Sequence, residues 1–394
     1  MKKATALQRD VFPDILRGFA LLGIAVVNVP FLSLSTETGT TGEVIFSTTD
    51  SVAAFVVMAL FQAKFYLLFS FLFGYSSQYV IKGEKSNVPR WITRAIGLII
   101  LGIIHFSLLF HGDILFLYGI FALLLLAFYF RKDKTLKIWA WVIFIISSAF
   151  LILASAATFL GEQLLASKGK ALPTFEPLTS LDQVLSYGSF IDTIPARIEL
   201  WLLAAPQGIL LQGPFVFVAF LLGVLVARRS GLSESGASRP LMKKLALWGL
   251  ALGLPLQLVS ASIFVSNELS EGYSASAYLL AISINFIAAP LLSSGYVGAL
   301  WLLHSRAKSS WSVISAAGRQ SLSVYLGQSL VFSILFSAWG FGLFGKLGVL
   351  EVSLIAVATW LVLALLATAN LKYRSSGPME TLLTNFSKVL AGRK

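Results

Sequence analysis

The chain has 394 residues, 57% hydrophobic and 12% charged, with a mean hydropathy of +0.83, which excludes a string of soluble domains and points to a polytopic membrane protein. With no cysteine there is no disulfide, thiolate nucleophile or thiolate metal site, and three histidines leave little for a zinc centre. The net charge of +12 sits in short basic clusters between apolar runs, so it reads as a topology signal and not as a nucleic-acid surface.

Lys2, Lys3 and Arg9 precede the first apolar run in the manner of a signal peptide. That run is about twenty residues long, enough to cross a bilayer, and no small-residue cleavage site follows promptly, so a retained first helix is predicted over 14–34. Further spans are predicted at 51–81, 91–111, 113–130, 138–160, 196–228, 241–264, 275–302, 312–338 and 349–371. The second is long enough to be tilted or bent. The sixth is interrupted by Pro206, Gly208, Gly213 and Pro214, as in a broken helix. The expected fold is an all-α polytopic bundle of about ten transmembrane helices, one integral membrane domain over 1–394, with 377–394 as an amphipathic tail on the inner surface.

The Lys/Arg distribution assigns the sides. One side carries Lys2, Lys3, Arg9, Lys82, Lys85, Arg90, Arg94, Arg131, Lys132, Lys134, Lys137, Arg228, Arg229, Arg239, Lys243, Lys244, Arg306, Lys308, Lys372, Arg374, Lys388, Arg393 and Lys394. The other has only Lys168, Lys170, Arg197 and Lys346, beside Glu37, Glu43, Asp50, Glu268 and Glu271. A multi-pass cell-membrane protein with both termini cytoplasmic is therefore expected.

Depth follows from this topology. His105 lies eleven residues beyond Arg94, roughly 16 Å along a helix and past the midplane. Asp113 then falls at the outer rim after a short turn at His111 and Gly112, and Asn28 is in the outer half of the first helix. Asn28, His105, His111, Asp113 and Tyr118 thus form an outer polar layer. Asp14, Arg17, Arg90, Arg94, Arg319 and Gln320 form an inner one. Lys64 falls near the midplane, where an ammonium needs a carboxylate or backbone carbonyls inside the bundle.

A neutral His105 can accept a proton from a hydroxyl or amine, and a carboxylate would orient it. His105 and Asp113 are eight residues apart, about 12 Å on a continuous helix, so they meet only if the turn folds Asp113 back. The bland alternatives are an interhelical hydrogen bond for His105 and a helix cap for Asp113. Asp14 and Arg17 have the spacing of a local ion pair, while arginines gathered at one leaflet also suit phosphates. Gly340-Phe-Gly342-Leu-Phe-Gly345 reads as a turn, and Gly249 with Gly253 as close helix packing.

Several stretches together resemble the YeiB-like family of bacterial membrane proteins, classed as a domain of unknown function. They are Arg17-Gly-Phe-Ala-Leu-Leu-Gly23-Ile with Asn28; Lys64-Phe65 with Leu68-Phe-Ser-Phe-Leu-Phe-Gly74; His105; and Gly112-Asp-Ile-Leu115 with Tyr118. Gly318-Arg-Gln-Ser-Leu-Ser-Val-Tyr325-Leu with Gln328-Ser329, and Gly377-Pro-Met-Glu380, complete the set. The family is similar to the transmembrane acyltransferase superfamily that includes heparan-α-glucosaminide N-acetyltransferase, through Asp14-x-x-Arg17-Gly and Asn28.

The resemblance implies an acyl-coenzyme A co-substrate entering from the cytoplasm, its phosphates held by Arg17, Arg94 and Arg319, with no covalently bound cofactor. An extracytoplasmic carbohydrate, lipid or peptidic acceptor would receive the acyl group, with Asn28 polarising the thioester carbonyl and His105, oriented by Asp113, as base. The N-acetyltransferase carries its catalytic histidine soon after the asparagine. This chain has none between Asn28 and Arg94, so His105 would act from another helix. The alternative reading is a proton-coupled transporter or exporter using Lys64, His105 and Asp113; a lipid-binding or signalling partner without turnover is a third.

Overall fold

The computed structural model describes residues 10–41, 47–170, 179–233, 238–270, 272–307 and 311–390. Of the charges used to assign sides, Lys2, Lys3, Arg9, Glu43, Glu271, Lys308, Arg393 and Lys394 lie outside the described residues. The apolar runs fold as helices throughout: α1 (Phe12–Asn28), α2 (Pro30–Ser33), α3 (Thr48–Val56), α4 (Lys64–Ile81), α5 (Val88–Leu108) and α6 (Leu115–Tyr129). They continue as α7 (Asp133–Ser167), α8 (Leu181–Tyr187), α9 (Phe190–Leu211), α10 (Gly213–Ala227), α11 (Arg239–Glu268) and α12 (Ala275–His304). The last are α13 (Ser312–Arg319), α14 (Ser321–Phe336), α15 (Val349–Asn370) and α16 (Pro378–Leu390).

Local chemistry starts many of these helices where they start. Proline occupies the first turn of α1, α5, α10 and α11, where its missing N–H costs nothing. Ser47, Ser238 and Ser274 accept from the first-turn amides of α3, α11 and α12, and Ser189 with Asp192 closes a capping box on α9. Among the described residues, seven helical stretches are long and apolar enough to cross a membrane. One face of α7 is almost bare, with Trp141, Ile146, Leu153 and Leu160 each more than 60% exposed. Such a surface requires lipid.

Four predicted stretches turn out to be broken or bent. The first bends at Val29 and Pro30. The second passes from α3 through a π-helical turn at Val57–Phe61 and stops at Gln62 and Ala63 before α4 begins. The sixth splits at Gln212, after Pro206 and before Pro214, and the ninth at Gln320. The α5–α6 connection is longer than read from the sequence, because α5 ends at Leu108 and α6 begins at Leu115.

Helix α1 is enclosed by α4, α13, α14 and α15 and has hardly a lipid-facing residue. Its approach to α13 needs two glycines. A Cβ on Gly18 would strike the Ile314 carbonyl, and one on Gly318 the Asp14 carbonyl. Gly74 and Gly223 do the same for α4 and α10, and Gly249 and Gly253 seat α11 on α12 at Gly295 and Leu292. The tail helix does not lie free on a surface. Leu383 and Phe386 of α16 pack at Gly97 of α5, and Thr93 donates to the Ser387 carbonyl at 3.1 Å.

Candidate functional site

Arg90 and Arg94 are in the first two turns of α5 and His105 is in its last, so one helix separates a basic end of the bundle from a far end. At the far end the chain leaves the helix abruptly. The His105 carbonyl accepts from both Leu109 N–H at 2.9 Å and Phe110 N–H at 3.0 Å, which closes α5 and reverses the chain. That reversal brings Asp113 back over the last turn. Asp113 Oδ1 lies 2.7 Å from His105 Nδ1, and its Oδ2 accepts from Phe116 N–H at 2.7 Å.

The two alternatives for Asp113 are therefore both realised, one oxygen for each. The cap on α6 fixes the carboxylate, and the carboxylate fixes the imidazole. Gly102 leaves room for this approach, since a Cβ there would stand 2.7 Å from Asp113 Oδ2. The pair is fully enclosed, with side-chain exposures of 1% and 0%. His105 Nε2 is buried without a hydrogen-bond partner. The Tyr325 ring lies 5.1 Å from the imidazole, and its buried hydroxyl, near Asp113, has no closed hydrogen bond either.

Tyr118, one turn into α6, donates or accepts with Ser70 Oγ at 2.7 Å and lies 3.3 Å from the Tyr66 carbonyl. Gln328 donates to the Leu21 carbonyl at 3.1 Å, tying α14 to α1. Asn28 does not join the dyad. It ends α1 half-buried, and its side chain has no hydrogen bond to any described residue. His111 sits half-buried in the turn between α5 and α6; burial, with the Arg197 charge adding to it, pulls its pKa down to about 4.

Arg197 on α9 is the residue the sequence reading missed, having counted it only as a far-side charge. It is 2% exposed and donates through Nη1 to the Leu108 carbonyl at 2.8 Å and to Thr193 Oγ1 at 2.6 Å. Its i, i+4 spacing from Thr193 inside an apolar stretch was the available signal.

Lys64 is wholly buried at the broken second stretch, and its Nζ donates to the Met58 carbonyl at 2.8 Å. The partner is thus a backbone carbonyl, one of the two types its depth required. The break frees that carbonyl and others, and α12 answers them. Asn285 also donates to Met58 O at 3.0 Å, Tyr296 to Leu60 O at 2.9 Å and Ser293 to Lys64 O at 3.1 Å. Ala63 holds φ at +67°, a conformation a β-carbon resists and surrounding structure must enforce.

At the basic end Arg17 pairs with Asp14 at 2.6 Å and donates to Ser76 Oγ. Arg94 stands near Arg17, Arg90 and the Glu380 carboxylate. Arg319 is exposed at the end of α13. Gln320 is buried at the α13–α14 break, donating to Ala367 O at 2.6 Å and accepting from Asn370 at 2.7 Å. The arginines thus share one end, but Arg17 is already neutralised and Arg319 points to solvent.

These features define a polytopic all-α membrane protein with a buried acid–histidine pair at one end and a basic cluster at the other. Residues 226–388 match the family described as "Protein of unknown function (DUF418)". Over 390 residues the chain is 29% identical to the "Uncharacterized protein YxaH" of Bacillus subtilis (strain 168), covering 94% of this chain and 92% of that one. Over 405 residues it is 27% identical to the "Uncharacterized protein YeiB" of Escherichia coli (strain K12), covering 98% of each. These matches make the chain similar to a YeiB-like family of unknown function. No solved structure matches it.

Proposed function

We propose that this protein is a transmembrane acyltransferase whose basic end faces the cytoplasm and receives an acyl-coenzyme A, and whose far end presents the acceptor. The observation that carries the reading is the enclosed Asp113–His105 pair, with one imidazole nitrogen anchored and the other unpartnered. That is the arrangement of a general base held in one tautomer. The acceptor O–H or N–H gives its proton to His105 Nε2 as its heteroatom bonds the acyl carbon. The C–S bond breaks, and the coenzyme thiolate takes the proton from the imidazolium.

Asn28, with an uncommitted amide, is the candidate donor to the thioester oxygen. Arg94 and Arg90 are the candidate phosphate holders, and Arg17 positions the first helix. The test uses purified protein in nanodiscs with labelled acetyl- and longer acyl-coenzymes A. The expected result is donor binding that weakens in Arg94→Ala and persists in His105→Ala, with transfer to a cell-envelope extract lost in the latter. Full transfer by His105→Ala and Asn28→Ala would reject the assignment.

A second reading rests on Lys64, a buried amine at a helix break in mid-bundle, which is where transporters place binding sites. Counterflow into proteoliposomes that collapses in Lys64→Met, with no acyl transfer by the parent protein, would select it.

A further inference from the structure

Among the described residues, the guanidinium of Arg197 is the one strongly basic group at the far end that is both buried and short of partners. Nη1 has two acceptors, yet Nη2 is buried with none. No carboxylate among the described residues compensates the charge. On the same helix Asp192 is engaged with Ser189 and Glu199 faces outward. The dipole at the end of α5, met through the Leu108 carbonyl, offsets part of the cost, but an uncompensated arginine at this burial is otherwise expensive.

Its position ties it to the dyad. Leu108 is three residues beyond His105, about 4.5 Å along the helix, and Ser333 of α14 holds the next carbonyl, Leu109 O, at 2.9 Å. One turn further along α9, Trp201 stacks on Phe106 at 4.1 Å and 5°, fixing α9 against the residue that follows His105. The free face of Arg197 and the free nitrogen of His105 therefore belong to one end of one rigid helix pair.

We propose that Arg197 is an oxyanion-binding subsite, and that the acceptor brought to His105 carries a carboxylate or phosphate group which Nη2 pairs. The anion site stands on Arg197 itself; its service to the acceptor rests on the acyl-transfer reading. An acid sugar and an anionic lipid headgroup present the same chemistry to a guanidinium.

The experiment compares the protein with Arg197→Gln, Arg197→Lys and Thr193→Val, all full-length in nanodiscs. One arm titrates glucuronate against glucose; the other compares phosphatidic acid with phosphatidylcholine in the disc. The readouts are the unfolding midpoint and the titration of His111, whose pKa is lowered by burial and further by the Arg197 charge. The expected result is that glucuronate, or phosphatidic acid, raises both relative to its neutral counterpart, and the responding arm names the source.

Affinity should drop roughly tenfold or more in Arg197→Gln, the loss of one charge-assisted contact, and be retained in large part by Arg197→Lys. Should Arg197→Gln not fold, Thr193→Val must still weaken the preference by releasing one anchor. Equal responses to charged and neutral probes, or an Arg197→Gln response matching the parent, would overturn the proposal. Anion binding at Arg197 with no acyl transfer would leave the subsite standing and reject the transferase reading.

Discussion

Glu380, in the first turn of the last helix, accepts from Leu322 N–H at 2.7 Å, from Ser323 N–H at 3.3 Å and from Ser323 Oγ at 2.6 Å. A carboxylate from fifty-odd residues away thus caps α14 at its start, where free amides and the helix dipole favour negative charge. Ser323 Oγ returns the contact by accepting from Met379 N–H at 3.0 Å, so the two motifs cap each other. Glu380→Ala should cost about 1–3 kcal/mol, read as a lower unfolding midpoint in detergent, with Glu380→Gln intermediate. An unchanged midpoint would mean that the tail helix is a passive appendage.

That clasp explains why two short motifs near the C-terminus occur together, and it also shows what the sequence could not disclose. The apolar runs, the Asp14–Arg17 pair and the Gly340–Gly345 turn follow from local spacing, and each is where spacing puts it. The break at Gln62 and Ala63 is different. No glycine or proline marks it, because the freed carbonyls are answered from α12 by Asn285, Ser293 and Tyr296, more than two hundred residues later. The His105–Asp113 contact was legible only as a condition. The helix had to end before the aspartate, and it ends at Leu108. Arg197 was hidden by arithmetic: a residue near a span's end counts toward sidedness, whereas its burial depends on Leu108 of another helix.

The glycines of the first and ninth stretches are set by approach distance. Gly318→Ala would drive a methyl into the Asp14 carbonyl, next to the Arg17 ion pair. The expected cost is about 1–3 kcal/mol of overpacking, with reduced yield of folded protein. Gly161→Ala, on the open part of α7 where a Cβ meets nothing within 4 Å, should be neutral or slightly stabilising. Equal behaviour of the two variants would contradict the α1–α13 contact.

His111 makes stability depend on pH with a defined sign. Its folded pKa of about 4 lies below the ordinary 6.5, so between these values the unfolded chain binds the proton and the folded one does not. Stability contributed by the neutral ring is full above pH 6.5 and declines as pH falls toward 4. In His111→Gln that pH dependence should be absent, so the unfolding midpoint of the parent minus that of the variant should fall as pH drops from 6.5 toward 4. A profile of unchanged slope would mean that the ring is hydrated and free of Arg197.

Asp113 offers the sharpest test of the dyad, because its two oxygens accept from two different N–H groups. Asparagine has one acceptor and one donor at the same sites. If the carbonyl stays on Phe116 N–H, the amide NH2 faces His105 Nδ1, which must then be the acceptor, and the proton moves to Nε2. The ring keeps its place but loses its free basic nitrogen. Asp113→Asn should therefore fold and bind donor while transfer falls by about 10²–10⁴. With three histidines in the chain, imidazole 15N shifts can report the tautomer directly, without knowledge of the acceptor. The expected change is from Nδ1–H to Nε2–H at His105 alone. An unshifted His105 signal in a folded Asp113→Asn variant would show that the carboxylate does not set the tautomer, and the base would have to be sought elsewhere.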